Sequence, residues 1–393
     1  MAMDLKPLSP LPGLSTCSGS CGRVQRQIHD LPVRSAGQQP AHTQRAFPRH
    51  LPELFHPGQT LDGGRSTPGP MTTQTPARPQ LIDLHPPSAD MLRLVQDGLQ
   101  REPRQLPAWF LYDNEGSRLF DQICQQPEYS LTRTEIALLE SAAADMAHAI
   151  GSGVIVEFGA GSARKVGPLL KEMRPSAYVA LDISADHLRQ STATLQAQHP
   201  GVPMLGICCD HSQLDVLPDH PLIRGRRRVG FFPGSSLGNF TRNEAIALLR
   251  RFRDLLDGGP LLLGLDQPKS RSRLEAAYND AAGISAAFAH NLLQRLNKDL
   301  GSNFNPDKFR YEAVWQEAES RVRMALISEA NQTVSVAGEP WAFSAGQPLV
   351  TEYSVKYSVE MARELAKDAG WRWCQRWHDP ADDLSLHWLE AAD

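Results

Sequence analysis

The stretch VIVEFGAGS, from Val154 to Ser162, decides the class of fold. Its first five residues are mostly apolar and β-branched, which is typical of a strand buried in a parallel sheet. The run leads into Gly159 and Gly161, and a helical pattern follows. Glycine lets the backbone pass close beneath a ligand where a Cβ would collide, and the amino terminus of the following helix presents free N–H groups. The stretch therefore predicts the strand, turn and helix that open a ligand-binding α/β sheet.

Similar short apolar runs alternate with helical patterns over the next hundred or so residues, which is the signature of βαβ units. The predicted strands are residues 154–158, 177–182, 204–209, 228–232 and 260–265. Near the carboxyl end, a helix at 359–369 precedes two closing strands at 371–377 and 384–388. The pattern predicts an α/β fold with a mostly parallel, doubly wound, Rossmann-like sheet that ends in an antiparallel hairpin.

The domain organisation follows from the breaks in this alternation. One long helix is expected from Arg273 to about Leu300, followed by strands between Tyr311 and Ser354 that are joined by Gly and Pro turns. We expect residues 134–268 with 357–393 to form the sheet domain, and residues 81–133 with 269–356 to form a smaller α+β substrate-binding lobe. Residues 1–75 are rich in Pro, Gly, Ser and Gln without apolar periodicity, which predicts a disordered extension.

Composition and charge narrow the classes of function. The 393 residues are 41% hydrophobic and 21% charged, which suits a globular chain with room for two domains. A net charge of -4 gives no basic field for nucleic acid. No apolar stretch is long enough to span a membrane or resembles a secretory signal, and the six cysteines show no zinc-site spacing. We expect a cytoplasmic monomer with no nucleic-acid, membrane or metal partner.

Acidic residues at the ends of successive strands indicate the type of cofactor. Asp182 ends the second strand, where a carboxylate can accept hydrogen bonds from both hydroxyls of an adenosyl ribose. Asp210 follows the third strand, at a position suited to the adenine amino group. A dinucleotide fingerprint would have a third glycine at position 164, where Arg164 stands. The pattern favours S-adenosylmethionine over NAD.

A second glycine-rich loop, PGSSLGNF at residues 233–240, follows the fourth strand at the same edge of the sheet. Its Asn239 is suited to orient a carboxylate or an amine beside the sulfonium methyl group. Judged from the composition of the loop alone, Asn239 would be an ordinary turn residue.

Six ordered stretches between about residue 80 and the carboxyl end resemble the L-histidine Nα-methyltransferase family of ergothioneine biosynthesis. They are LYD at 111–113 with GS at 116–117 and LF at 119–120, PEY at 127–129 with TRTE at 132–135, EFGAGSARK at 157–165, GSSLGNF at 234–240, AYND at 277–280 and TEYS at 351–354. The resemblance implies a class I methyltransferase sheet, S-adenosyl-L-methionine as methyl donor without a metal, and L-histidine as the small-molecule partner.

The resemblance also implies roles for single residues. The cofactor site would comprise Gly159, Gly161, Lys165, Asp182, Asp210 and His211. The substrate carboxylate would be held by Asn239 and Tyr278, and the imidazole by Tyr129, Glu352 and Ser354. Tyr112 and Asn239 would lie beside the reacting amine as the catalytic residues.

Strand geometry supports the pairing of Glu352 with Ser354. Residues i and i+2 of a strand point to the same face, so the two side chains can converge on one ligand while Tyr353 points away. A carboxylate beside a hydroxyl suits the N–H and nitrogen of an imidazole. An exposed strand with a surface Glu and Ser is the alternative explanation from the pattern alone.

The expected function is methylation of the α-amino group of L-histidine, repeated up to the trimethyl betaine hercynine. Methyl transfer from a sulfonium is an in-line displacement, so the enzyme must align a neutral amine with the methyl carbon and exclude water. Two alternatives stay open: a methyltransferase for another amino acid or imidazole amine, and a non-catalytic protein that binds S-adenosylmethionine. Arg164 disfavours a third, a nicotinamide-dependent reductase.

Overall fold

A computed structural model describes residues 79–84 and 89–392, and the extension predicted for residues 1–75 lies outside the described residues. The helices are α1 Ala89–Leu99, α2 Asn114–Ile123, α3 Leu131–Ile150, α4 Gly167–Met173, α5 Ala185–Gln198, α6 Arg242–Leu255, α7 Arg271–Tyr278, α8 Ile284–Leu300 and α9 Val359–Asp368. The strands are β1 Gln80–Asp83, β2 Arg104–Gln105, β3 Val154–Phe158, β4 Ala177–Asp182, β5 Met204–Cys208, β6 Arg228–Phe232, β7 Leu261–Asp266, β8 Phe309–Gln316, β9 Arg321–Ser328, β10 Gln332–Val336, β11 Glu339–Phe343, β12 Pro348–Val355, β13 Trp371–His378 and β14 Leu384–Ala391. Within these ranges no helix is both long enough and apolar enough to cross a bilayer.

The main sheet has the strand order β1-β5-β4-β3-β6-β7-β14-β13. It is parallel from β1 to β7, while β14 runs antiparallel to β7 and β13 runs antiparallel to β14. All of β3 is buried, and its side chains alternate between two core clusters: Val154, Val156 and Phe158 pack on one face, Ile155 on the other. The predicted Rossmann-like sheet with a closing hairpin is therefore confirmed.

Two expectations about local structure were wrong, and one strand was not predicted. The edge strand β1, which pairs with β5, was not predicted, because four residues at a sheet edge carry no long apolar run. The single helix predicted from Arg273 to Leu300 is two helices, since Gly283 takes a left-handed φ of 74° and the Asp280 carboxylate accepts the N–H groups of Ile284 and Ser285 at 2.8 and 2.7 Å. Finally, α4 begins only at Gly167, so a loop, and not a helix terminus, follows the glycine turn directly.

A second sheet has the strand order β2-β12-β9-β8, in which β8, β9 and β12 lie between α8 and α9 in the chain and β2 lies between α1 and α2. Strand β12 has a bulge between Val350 and Glu352, and its end packs against the turn that contains Gly238. A Cβ on Gly238 would lie 2.6 Å from the carbonyl oxygen of Val355, so only glycine permits this approach. The contact places Asn239, which ends the turn, beside the side chains of β12.

Candidate active site

The glycine turn after β3 opens onto a cleft. Gly159 and Gly161 take left-handed φ values of 70° and 53°, which glycine adopts without the strain that a side chain would cause. The Gly159 and Ala160 N–H groups donate to the carbonyl of Leu181 at 2.9 and 3.0 Å, and this fixes the turn against β4. A Cβ built on Gly161 meets no atom within 4 Å, so the space beside the turn is open.

The two strand-end aspartates lie at this cleft, as their positions in the chain predict. Asp182 accepts the Gly161 N–H at 2.8 Å through Oδ2 and the Ser184 N–H at 3.0 Å through Oδ1. Asp210 accepts the backbone N–H and the hydroxyl of Ser212 through Oδ1, while in the described part of the chain its Oδ2 has no hydrogen bond. The geometry leaves acceptor capacity on the cleft side of the sheet.

His211 contributes a polar atom without a partner. Its ring packs among those of Phe158, Phe232 and Phe252, with ring centroids 5.7 to 6.3 Å away. Burial lowers the pKa of His211, so the imidazole is neutral near pH 7. Its Nε2 is buried and has no hydrogen-bond partner among the described residues. Such a group calls for a ligand or water at that spot.

Two adjoining cavities occupy this edge of the sheet. The outer cleft, of about 1310 Å³, is lined by the glycine turn, Lys165, Asp182, Asp210 and His211. The inner cavity, of about 70 Å³, is lined by groups that include Tyr278, Glu352 and Ser354. Six residues border both cavities, and we call them the shared wall. They are Tyr112, Phe120, Tyr129, Gly234, Ser236 and Asn239. The residues predicted for the cofactor and substrate sites therefore all line one or both of two adjoining cavities.

The polar side chains of the inner cavity bond to one another. The Asn239 Nδ2 donates to Glu352 Oε1 at 2.7 Å, and the Tyr278 hydroxyl lies 2.9 Å from the Ser354 hydroxyl. Burial raises the pKa of Glu352 to about 8, although Lys356 and the Asn239 hydrogen bond both act to lower it. Glu352 and Ser354 thus face the same cavity, as the alternation along β12 predicts.

Aromatic rings enclose the remaining sides. Tyr112 contacts Phe120 and Phe288 edge to face, with ring centroids 5.5 and 5.3 Å apart, and Tyr129 contacts Tyr278 in the same way at 5.8 Å. Burial raises the pKa of both Tyr112 and Tyr129 well above that of a free tyrosine. Their hydroxyls are therefore protonated near pH 7 and act as neutral hydrogen-bonding groups.

Sequence reasoning assigned no role to Glu135, although it quoted the TRTE stretch that contains it. The Glu135 side chain is fully buried, accepts the Gly234 N–H at 2.9 Å and lies 3.0 Å from Lys165 Nζ. It joins the loop that carries Lys165 to the loop that carries Asn239.

Lys356 and Asp266 were also missed. Lys356 is fully buried, and its Nζ lies 2.7 Å from Asp266 Oδ2, 2.6 Å from the Tyr278 hydroxyl and 2.8 Å from Ser354 Oγ. The sequence did contain a signal, because the alternation that pairs Glu352 with Ser354 extends to Lys356 two positions later.

A further buried carboxylate lies beneath the glycine turn. Glu157, on β3, accepts a 2.6 Å hydrogen bond from the Tyr178 hydroxyl on β4, and burial raises its pKa to about 8. In the sequence, Glu157 stood out only as the first residue of the EFGAGSARK stretch. The bond ties β3 to β4 directly below the cleft.

A family model described as "Histidine-specific methyltransferase, SAM-dependent" matches residues 91–391. The chain belongs to this family. Histidine N-alpha-methyltransferase of Mycolicibacterium smegmatis is 38% identical over 309 residues, which cover 76% of this chain and 94% of that protein. The protein of the same name from Mycobacterium tuberculosis is 34% identical, with coverage of 75% and 92%. Ergothioneine biosynthesis protein 1 of Neurospora crassa is 32% identical and covers 73% of this chain but 33% of its own length.

The outer cleft fits the methyl donor of this methyltransferase family. The open space beside Gly161 admits a ligand against the backbone, and the carboxylates of Asp182 and Asp210 offer acceptors for hydroxyl and amino groups. The unpartnered Nε2 of His211 points to a polar ligand atom in the same cleft. These residues, with Gly159 and Lys165, are the ones that would hold S-adenosylmethionine.

Proposed function

We propose that the protein transfers methyl groups from S-adenosylmethionine to the α-amino nitrogen of L-histidine, up to the trimethyl betaine hercynine of ergothioneine biosynthesis. Membership of the histidine-specific family and 38% identity to the M. smegmatis Histidine N-alpha-methyltransferase support the reaction. The observation that carries the proposal is the shared wall. Because the two cavities have these residues in common, a cleft suited to the methyl donor adjoins a polar cavity suited to an amino acid.

In this proposal the inner cavity grips histidine at both ends. The Tyr278 hydroxyl donates to the substrate carboxylate, Glu352 accepts the imidazole N–H, and Ser354 donates to the other ring nitrogen. Asn239 and Tyr112 lie on the shared wall, where the α-amino group would face the outer cleft. Fixing both ends leaves the amine as the mobile part, so the same geometry serves successive transfers.

When bound, S-adenosylmethionine supplies a methyl group on a sulfonium. The amine lone pair forms the new C–N bond, the C–S bond breaks, and its electron pair stays on sulfur. Each further transfer requires loss of one ammonium proton, and the trimethylated product has none left to lose. Since the Tyr112 and Tyr129 hydroxyls hold their protons near pH 7, we assign them alignment and exclusion of water, and we expect the amine proton to pass to solvent.

We also propose that the two parts predicted from the sequence divide this work within a monomer. Residues 134–268 with 357–393 would form the methyltransferase domain, and residues 81–133 with 269–356 the substrate-binding lobe, except that β1 pairs into the main sheet. The glycine turn and the two aspartates lie at the ends of β3, β4 and β5, and Glu352 and Ser354 lie on β12, which supports this division.

A substrate panel tests the function. Purified protein is incubated with labelled S-adenosylmethionine and histidine, other amino acids, or imidazole amines such as histamine, and products are resolved by mass spectrometry. Histidine should accept label most rapidly, with all added methyl groups on the α-nitrogen. Preference for another amine would establish the first alternative. Binding of donor and histidine without turnover of any acceptor would establish the non-catalytic one.

A further inference from the structure

Lys356 occupies an unusual position beneath the inner cavity. Its side chain is 0% exposed, so it lies behind the ligand-facing hydroxyls of Tyr278 and Ser354. Its three short contacts, to Asp266, Tyr278 and Ser354, use all three N–H donors of the ammonium group. Burying a lysine is costly unless it is paired, and Asp266 supplies the pairing charge.

We propose that Lys356, held by Asp266, is a positioning residue that forces the Tyr278 and Ser354 hydroxyls to act as hydrogen-bond donors toward the acceptor substrate. This inference rests on the proposed function and deepens it. It identifies what the substrate must offer at this place: two acceptor atoms, such as a carboxylate oxygen and an unprotonated ring nitrogen.

The number of protons on the two hydroxyls and on the ammonium group decides which atoms can donate. An ammonium group only donates, so neither hydroxyl can give its proton to Lys356. Each hydroxyl has one proton, and the 2.9 Å contact between Tyr278 and Ser354 uses one of the two when no ligand is bound. The other proton is left for the cavity. A ligand with two acceptor atoms can take both, while Lys356 continues to donate to both oxygens.

The charged side chains behind the inner cavity also favour a substrate that accepts hydrogen bonds there. Asp266 is paired with Lys269 as well as with Lys356, so two lysines and one aspartate lie together behind the cavity. Of these charges, the Lys356 ammonium is the one that contacts both hydroxyls, and it favours the carboxylate of an amino acid at Tyr278. Lys356 also lowers the pKa of Glu352 against the effect of burial and so favours the charged form that accepts an imidazole N–H.

A purely structural ion pair would not require these contacts. Lys356 follows β12 and Asp266 ends β7, so the pair does link the two sheets. If Lys356 only linked the two sheets, however, its bond to the Asp266 carboxylate would be sufficient. Its other two N–H groups would then donate to backbone carbonyls. Both of those donors instead point to the hydroxyls that line the cavity.

A double-mutant cycle between Lys356→Met and Tyr278→Phe tests the proposal. Histidine affinity is measured by calorimetry on the full chain with S-adenosylhomocysteine bound, together with affinity for S-adenosylhomocysteine itself. We expect each single variant to weaken histidine binding by about tenfold or more, with unchanged cofactor affinity. The double variant should lose less than the product of the two single losses, because Lys356 acts in part through the Tyr278 hydroxyl.

Lys269→Met is the matched control. Lys269 pairs with the same aspartate and is also largely buried, but in the described residues it has no hydrogen bond to Tyr278 or Ser354. Histidine affinity should stay within about twofold of wild type in this variant. Should Lys356→Met not fold, Lys356→Gln takes its place in the cycle, because a glutamine carbonyl can accept a hydroxyl proton and so removes the same constraint.

Two outcomes would overturn the proposal while leaving the function intact: unchanged histidine affinity in a folded Lys356 variant, or losses that multiply fully in the double variant. An equal loss in Lys269→Met would also overturn it, since the effect would then belong to the buried charge alone. If the wild-type protein neither binds nor methylates histidine, the proposed function and this inference both fail.

Discussion

The Nζ atom of Lys165 lies 3.0 Å from Oε2 of Glu135, and both oxygens of that carboxylate accept the N–H of Gly234 at 2.9 Å. Glu135 belongs to α3, Lys165 to the loop after β3, and Gly234 to the loop after β6. One fully buried carboxylate therefore joins the Lys165 loop, which lines the outer cleft, to the loop that carries Asn239.

Glu135→Gln should weaken both binding steps at once. The amide keeps the shape and one acceptor for Gly234, but it loses the charge that fixes Lys165. We expect the Kd for S-adenosylhomocysteine and the KM for histidine each to rise by about tenfold. Calorimetry and steady-state kinetics measure the two effects. Glu140→Gln, an exposed site on the same helix, is the control and should change neither value.

Glu352→Ala should separate substrate binding from cofactor binding. The carboxylate lies in the inner cavity and bonds to Asn239, and it does not line the outer cleft. Its loss should raise the KM for histidine steeply, by about tenfold or more, while S-adenosylhomocysteine binds as before. Calorimetry that finds both affinities unchanged would remove Glu352 from the acceptor site.

Glu352→Gln should make the stability of the ligand-free protein less dependent on pH. Burial raises the pKa of Glu352 from 4.5 to about 8, so the folded protein keeps a proton that the unfolded chain loses near its usual pKa. The unfolded state therefore binds fewer protons between these values, and stability falls as pH rises through this window. The melting temperature of the variant should fall less than that of wild type between about pH 5 and 8.5.

The control for this effect is Glu364→Gln, an exposed position on α9, which should follow the wild-type curve. Glu157, whose pKa burial also raises to about 8, keeps part of the slope in every variant. Parallel curves for wild type and Glu352→Gln would show that Glu352 is not a buried, protonated acid.

Gly161→Ala should impair cofactor binding more than it impairs folding. The φ of 53° costs an alanine about 1–2 kcal/mol, and the new methyl group enters the open space beside the turn. We expect the Kd for S-adenosylhomocysteine to rise by about tenfold or more. Gly258→Ala carries similar strain at φ 72° with equally open space, between α6 and β7, and should lower the melting temperature without changing that Kd.

Much of the sheet could be predicted from the sequence because β3, β4 and β6 are short apolar runs buried within a parallel sheet. The strand-end residues Asp182 and Asp210 followed from the same reasoning, since the carboxyl ends of parallel strands meet at one edge. The break between α7 and α8 did not follow. The apolar periodicity continues across it, and a side-chain cap by Asp280 decides the outcome.

The charged groups behind the site could not be predicted from local pattern. Glu135 reaches Gly234 across 99 residues of chain, and Lys356 reaches Tyr278 across 78. A single charged residue within an apolar helix or after a strand is usually a solvent-facing position, so only the assembled fold distinguishes it from a buried, paired one. The roles of Tyr112, Tyr129 and the other residues assigned to the site stay predictions that the variants above test.

A crystal structure of the protein with histidine and S-adenosylhomocysteine would show whether the two cavities bring the substrate amine to the cofactor sulfur. The proposed arrangement places histidine in the inner cavity, with its carboxylate on Tyr278, its imidazole on Glu352 and Ser354, and its α-nitrogen beside the shared wall, facing the cofactor sulfur. Histidine bound elsewhere, or with its amine turned away from the sulfur, would contradict it.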